Sequence, residues 1–135
     1  MSTLKTNTLT GTTSAGSIVV TGEGGSTTTN LQQGLAKAWI NLDGIADVTT
    51  QDSFNTGSIT DNGTGDYSIT ITNDMNNAFY SFTFGDYLSS NNSIQVSGSA
   101  DAAPATGSIR LQCVTTGNSV ADITHACVTI HGDLA

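Results

Sequence analysis

Ser58-Ile59-Thr60-Asp61-Asn62-Gly63-Thr64-Gly65-Asp66-Tyr67-Ser68-Ile69-Thr70-Ile71 is the stretch that decides the fold. Asn-Gly between two β-prone runs is the strongest short-range signal of a hairpin, because both residues accept positive φ. Beyond the turn, Tyr67, Ile69 and Ile71 alternate with Ser68 and Thr70, as in a strand with one face buried. The pattern repeats outward from this hairpin. Upstream, Trp39 to Asp43 and Val48 to Thr50 flank a turn-like Asp43-Gly44, and Phe54 to Thr60 leads into the hairpin. Downstream, Tyr80, Phe82 and Phe84 alternate with Ser81 and Thr83, followed by Ile94 with Val96, Ile109 with Leu111, and Val128 with Ile130. The expectation is an all-β chain, an antiparallel β-sandwich of about seven or eight strands.

Composition agrees. The 135 residues suffice for one domain with a core and are too few for two ordinary ones. Charged residues make up 10% and apolar residues 36%. Thr, Ser, Gly and Asn fill most of the rest, which is the vocabulary of strands and turns rather than of long helices. The formal net charge is −8, and the only basic side chains are Lys5, Lys37 and Arg110. Three scattered cations cannot neutralise a row of phosphates, so neither nucleic acid nor an anionic membrane is an expected partner. No apolar run approaches the length needed for membrane insertion. The start, Met1-Ser2-Thr3-Leu4-Lys5, lacks an apolar signal core, so the expectation is synthesis in a cytoplasm.

The chain reads as two parts, an N-terminal attachment or oligomerisation segment with its linker (1–34) and a β-sandwich head (35–135). Leu4 to Leu9 and Ser17 to Thr21 are β-prone pieces, and Gly22 to Thr29 reads as a flexible linker. Leu4, Leu9, Ile18, Val19 and Val20 are too few for a core of their own, so this part is expected to order against copies of itself or a partner. Asn30 to Lys37 is the only plausible helical turn, with Asn30 as cap and Leu31 and Leu35 on one side. Two cysteines do not make a disulfide framework. A Cys113–Cys127 bridge would need a hairpin with its tip near Ser119. Alternation instead groups Cys113 with Ile109 and Leu111, and sets Cys127 out of phase with Ala126, Val128 and Ile130. A free, inward Cys113 and an outward Cys127 are expected.

Leu35-Ala36-Lys37-Ala38-Trp39-Ile40-Asn41-Leu42-Asp43-Gly44, Asp52-Ser53-Phe54-Asn55, Ser58 to Tyr67, and Ile71-Thr72-Asn73-Asp74-Met75-Asn76-Asn77-Ala78-Phe79-Tyr80 are not generic. Together they resemble a module of tail-fibre and related virion proteins of tailed bacteriophages, especially aquatic ones. The leader Ser2 to Leu9 resembles the start of such proteins. Similarity spans residues 1–80 and the closing Ser108 to Leu111 and Val128 to Gly132 strands, whereas Asp86 to Ala105 departs. The resemblance implies a homotrimeric virion fibre or knob, attached to other virion proteins by its N-terminal end and facing the host with the rest. A particle released by lysis would also reconcile cytoplasmic synthesis with the Thr/Ser/Asn-rich surface. It leaves open a tail fibre that attaches to the host or a capsid-decorating or head-fibre protein. A cellular carbohydrate-binding adhesin module is a third reading, disfavoured by the missing signal core. The resemblance supplies no binding residues.

The chemistry of individual residues is sparse. Glu23, the only glutamate, lies in the linker, and Asp61 and Asp66 flank a tight turn where Asp is an ordinary turn residue. No nucleophile elbow occurs, and neither histidine adjoins an evident nucleophile. His125 and His131 would share a strand face about 20 Å apart, too far to chelate one ion. No enzyme activity, cofactor or metal is therefore expected. Trp39, Tyr67, Phe79, Tyr80, Phe82, Phe84 and Tyr87 are candidate sugar-stacking rings, but alternation assigns most of them to the core. For contact with a host glycan or protein, the candidates are Tyr87, Asn91 and Asn92, in the divergent region where loops vary without disturbing a core.

Overall fold

The computed structural model describes residues 3–12, 18–87 and 94–135. The chain divides into two units, Met1–Leu35 and Ala36–Ala135.

In the first unit, β1 (Val19–Thr21) and β2 (Thr28–Asn30) pair antiparallel, Val19 opposite Asn30 and Thr21 opposite Thr28. The Gly22–Thr29 stretch is therefore not a linker. Gly25, at φ 75°, closes a turn in which Gly22 N–H donates to Thr27 O, and the β-branched Thr28 and Thr29 supply the returning strand. Leu4 to Leu9 joins no ladder. The expected helix at Asn30 to Lys37 is also absent. Asn30 Oδ1 does accept the Gln32 N–H at 2.8 Å, as a cap would, but only turns follow. Gly34 and a seven-residue reach leave too few bonds to repay nucleation of a helix.

The second unit is the expected sandwich. Its strands are β3 (Ala38–Asp43), β4 (Thr49–Phe54), β5 (Thr56–Gly63), β6 (Asp66–Ile71), β7 (Ser81–Tyr87), β8 (Ile94–Gly98), β9 (Ser108–Thr115) and β10 (His125–His131). They form two four-stranded antiparallel sheets, ordered β4-β3-β10-β7 and β5-β6-β9-β8. Inward residues alternate as the sequence pattern requires: Ala38, Ile40 and Leu42 with Ala126, Val128 and Ile130 from one sheet, and Tyr67, Ile69 and Ile71 with Ile109, Leu111 and Cys113 from the other. Phe82, Phe84, Ile94 and Val96 pack against this cluster, and Met75, Tyr80 and Ile123 fill its ends. Each large side chain so buried contributes about 1.5–3 kcal/mol.

β9 and β10 lie in different sheets, so the hairpin that would have brought Cys113 to Cys127 does not exist. Both thiols are free, Cys113 buried in the core and Cys127 half-buried on the outer side of its sheet. Burial pushes the Cys113 thiol up to about 12, so it stays protonated and inert.

Two corners set the architecture. One residue, Asn55, carries the chain from β4 in one sheet to β5 in the other, at φ 55°. Its amide Nδ2 donates to Lys37 O at 2.9 Å and Asn73 O at 3.2 Å, while its Oδ1 accepts from Asn73 N and Asn73 Nδ2. The strand expected to begin at Phe54 therefore ends there, and β4 continues through Gln51 to Ser53 instead of breaking after Thr50. The second corner is the β5–β6 hairpin. Its tip is Thr64-Gly65 rather than Asn62-Gly63, because Asp61 Oδ1 accepts the Gly63 N–H at 2.8 Å and leaves Asn62 as a bulge between paired positions. Gly65 sits at φ 65°, and a Cβ there would collide with the backbone of Ala121 and Cys113.

Candidate receptor-contact face

Tyr87 closes β7 and is 65% exposed, an unusual degree for a large aromatic ring. Its ring meets that of His125 edge-on at a centroid distance of 5.3 Å, and its carbonyl accepts the Thr124 hydroxyl at 3.5 Å. Asn91 and Asn92 lie outside the described residues.

Tyr87 belongs to a larger surface, the outer face of the β4-β3-β10-β7 sheet. Register places its side chains in rows across the four strands. Phe54, Trp39, Thr129 and Thr83 form one row, and Asp52, Asn41, Cys127 and Gly85 the next. Beyond these, Asp43 pairs with Thr49 on one side and His125 with Tyr87 on the other. The middle row is short at Cys127 and Gly85, between aromatic rows on either side. In β4, Gln51 is an extra bulged residue whose Oε1 accepts from Asn41 Nδ2 at 3.4 Å and whose Nε2 donates to Thr124 O at 3.3 Å. Asn41 Oδ1 and His125 Nδ1 are buried without a hydrogen-bond partner among the described residues. Burial and the neighbouring Asp86 charge raise the Cys127 thiol, so it is a poor nucleophile. Rings, amides and carboxylates in this layout can stack on and hydrogen-bond to a ligand.

The opposite outer face is built from Ser68, Thr70, Ser108, Arg110, Gln112, Gln95 and Ser97, with no aromatic ring among the described residues. Its charged groups gather at Arg110. Arg110 donates through Nε and Nη2 to the two oxygens of Asp66 at 2.7 and 2.6 Å, with Asp101 3.9 Å away. The Arg110 hydrogen bond outweighs burial and holds the Asp66 carboxyl below its ordinary range.

The seven aromatic candidates separate clearly. Tyr67 and Tyr80 are buried, and Phe82 and Phe84 pack on the core, whereas Trp39 is half-buried on the outer face and Phe79 is 96% exposed. Phe54, exposed beside Trp39, was not among them. Trp39 had a signal, since it is out of phase with Ala38, Ile40 and Leu42. Phe79 lies in a connection where alternation does not apply, held by an Asn77 side chain that accepts its N–H. His125 and His131 occupy the two ends of β10 on its outer face. Among the described residues no three His, Cys, Asp or Glu side chains converge as a metal site.

No family model, no curated protein and no solved structure matches the chain.

Proposed function

We propose that the chain is a structural virion protein of a tailed bacteriophage, a homotrimeric tail-fibre component that contributes to host attachment and carries out no catalysis. The observation that carries this reading is the role of the residues through which the sequence resembles fibre modules. Asn55 makes the sheet-to-sheet corner, Asp61 to Asp66 make the hairpin, and Tyr67 and Met75 are buried. The resemblance is thus one of scaffold, which suits a structural protein. The first unit adds support, because Leu4, Leu9, Val19 and Val20 are exposed within it, as expected of a segment that orders against its own copies or other virion proteins. On this reading the outer face around Tyr87 meets a host glycan or protein, and the particle leaves the cell by lysis.

A capsid-decorating or head-fibre role is the second reading. It is favoured by the short Leu31–Lys37 passage between β2 and β3, which leaves no room for a shaft within these residues. Light scattering on the purified chain tests the assembly both readings share. A trimer mass is expected, and a stable monomer at micromolar concentration would exclude it.

A further inference from the structure

Asn62-Gly63 is the chain's only Asn-Gly pair. An asparagine followed by glycine loses its side-chain amide most readily, because no Cβ shields the next backbone nitrogen. In that reaction Gly63 N attacks Asn62 Cγ, and the Cγ–Nδ2 bond breaks. Ammonia leaves, carrying the proton given up by Gly63 N, and a succinimide remains. Water then opens either carbonyl of the ring, leaving aspartate or isoaspartate at position 62. Water is the sole co-reactant.

The native hairpin restrains both reacting groups. Gly63 N–H donates to Asp61 Oδ1 at 2.8 Å, so a carboxylate holds the proton that must leave, and its negative charge opposes the departure. Asn62 Nδ2, the leaving amide, donates across the hairpin to Ser68 Oγ at 2.8 Å and to Asp66 Oδ1 at 3.4 Å. Asp66 is itself fixed by Arg110, and the neighbouring Gly65 N–H is fixed by Asp122 at 2.7 Å. Asn62 and Gly63 are nevertheless exposed on an edge strand, so access of water is not what limits the reaction.

We propose that Asn62 is a latent deamidation site kept silent by the hydrogen bonds of the closed hairpin, and that it converts where the Asp61–Asp66 hairpin opens or those bonds are lost. Conversion is then one-way. Aspartate replaces an amide donor with a third carboxylate between Asp61 and Asp66, facing the oxygens of Ser68 and Asp66. Isoaspartate also lengthens the backbone of β5 by one methylene and disrupts its register with β6. The chemistry does not depend on the proposed function.

Peptide mapping by mass spectrometry, with aspartate and isoaspartate products separated, reads the site directly. The full-length chain is held in mildly alkaline buffer, with and without urea. Two variants whose fold is verified by circular dichroism are held in buffer alone: Asp61→Ala releases the Gly63 N–H, and Ser68→Ala removes the shorter of the leaving amide's two hydrogen bonds. Conversion at Asn62 is expected in urea, about tenfold or more slower in the native protein, and faster again in either folded variant. Equal rates with and without urea would overturn the proposal, as would no conversion in urea or native-like protection in both folded variants.

Discussion

The Tyr67 hydroxyl donates to Asp122 Oδ1 at 2.7 Å, so a side chain rooted in one sheet ends on the segment leading into the other. The same carboxylate oxygen accepts the Gly65 N–H at 2.7 Å, which ties the hairpin tip to that segment. Gly44 completes the arrangement, because a side chain there would overlap the Tyr67 hydroxyl. Burial and the Asp122 hydrogen bond both raise the Tyr67 hydroxyl's pKa, so it remains a donor throughout the physiological range.

Removing these groups should have graded effects. Tyr67→Phe deletes the hydroxyl with its short bond to Asp122 and its long one to Gly44 O, and leaves Asp122 its Gly65 partner, a loss of about 1 kcal/mol. Asp122→Ala strands the Gly65 N–H and leaves the buried Tyr67 hydroxyl only its long 3.4 Å contact with Gly44 O, a loss of about 2–3 kcal/mol. Gly44→Ala forces Tyr67 aside and should cost about 1–3 kcal/mol through overpacking. Urea denaturation midpoints measure all three, and Asp122→Ala no worse than Tyr67→Phe would contradict the shared-oxygen arrangement.

Asn55 carries both a left-handed backbone and four side-chain hydrogen bonds. Asn55→Gly keeps the backbone conformation and loses the bonds; Asn55→Ala loses the bonds and adds strain of about 1 kcal/mol. The alanine variant should therefore be the less stable of the two in the same denaturation assay. The reverse order would place the role of Asn55 wholly in its side chain.

The Asp66–Arg110 pair gives stability a defined acid limb. The carboxyl's folded pKa lies below its ordinary 3.8, so its contribution is complete well above that value. It fades as pH falls below about 3.8 and is gone once pH passes the lower folded value. Arg110→Gln should remove this component and flatten the stability profile between those limits, leaving stability near neutral pH only modestly reduced. A profile as steep as that of the native chain would assign the acid limb to other carboxylates.

These residues also mark how far the sequence could be read. Tyr67, Ile69 and Ile71 announced their strand because alternation has a fixed period, and the same rule located both cysteines' faces correctly. Alternation says which face a residue takes but not which sheet its strand joins, so the separation of β9 from β10 was not visible. Periodicity says nothing of the corner at Asn55, since only the finished corner gives its amide four partners. The hairpin was legible to within two residues, and its tip moved because Asp61 captures Gly63. The exposed aromatic surface was legible in part, through the phase of Trp39, whereas Phe54 and Phe79 depend on a strand end and a connection that no periodicity marks.

For attachment, Tyr87 is the candidate contact that the structure describes, exposed at the end of β7. Replacing Tyr87, Asn91 and Asn92 with Ala should leave fold and assembly intact while lowering adsorption of particles to host cells. Unchanged adsorption, with folded variant present on the particles, would remove this region from host contact and favour a decorative role.

The virion assignment is tested by locating the chain on purified phage particles, by mass spectrometry of their proteins and electron microscopy of particles labelled through this chain. The chain should be a stoichiometric particle component, and the label should project from the tail. Particles that lack the chain would contradict the virion assignment itself, and label confined to the capsid would contradict the tail-fibre assignment in favour of a decorating or head-fibre protein.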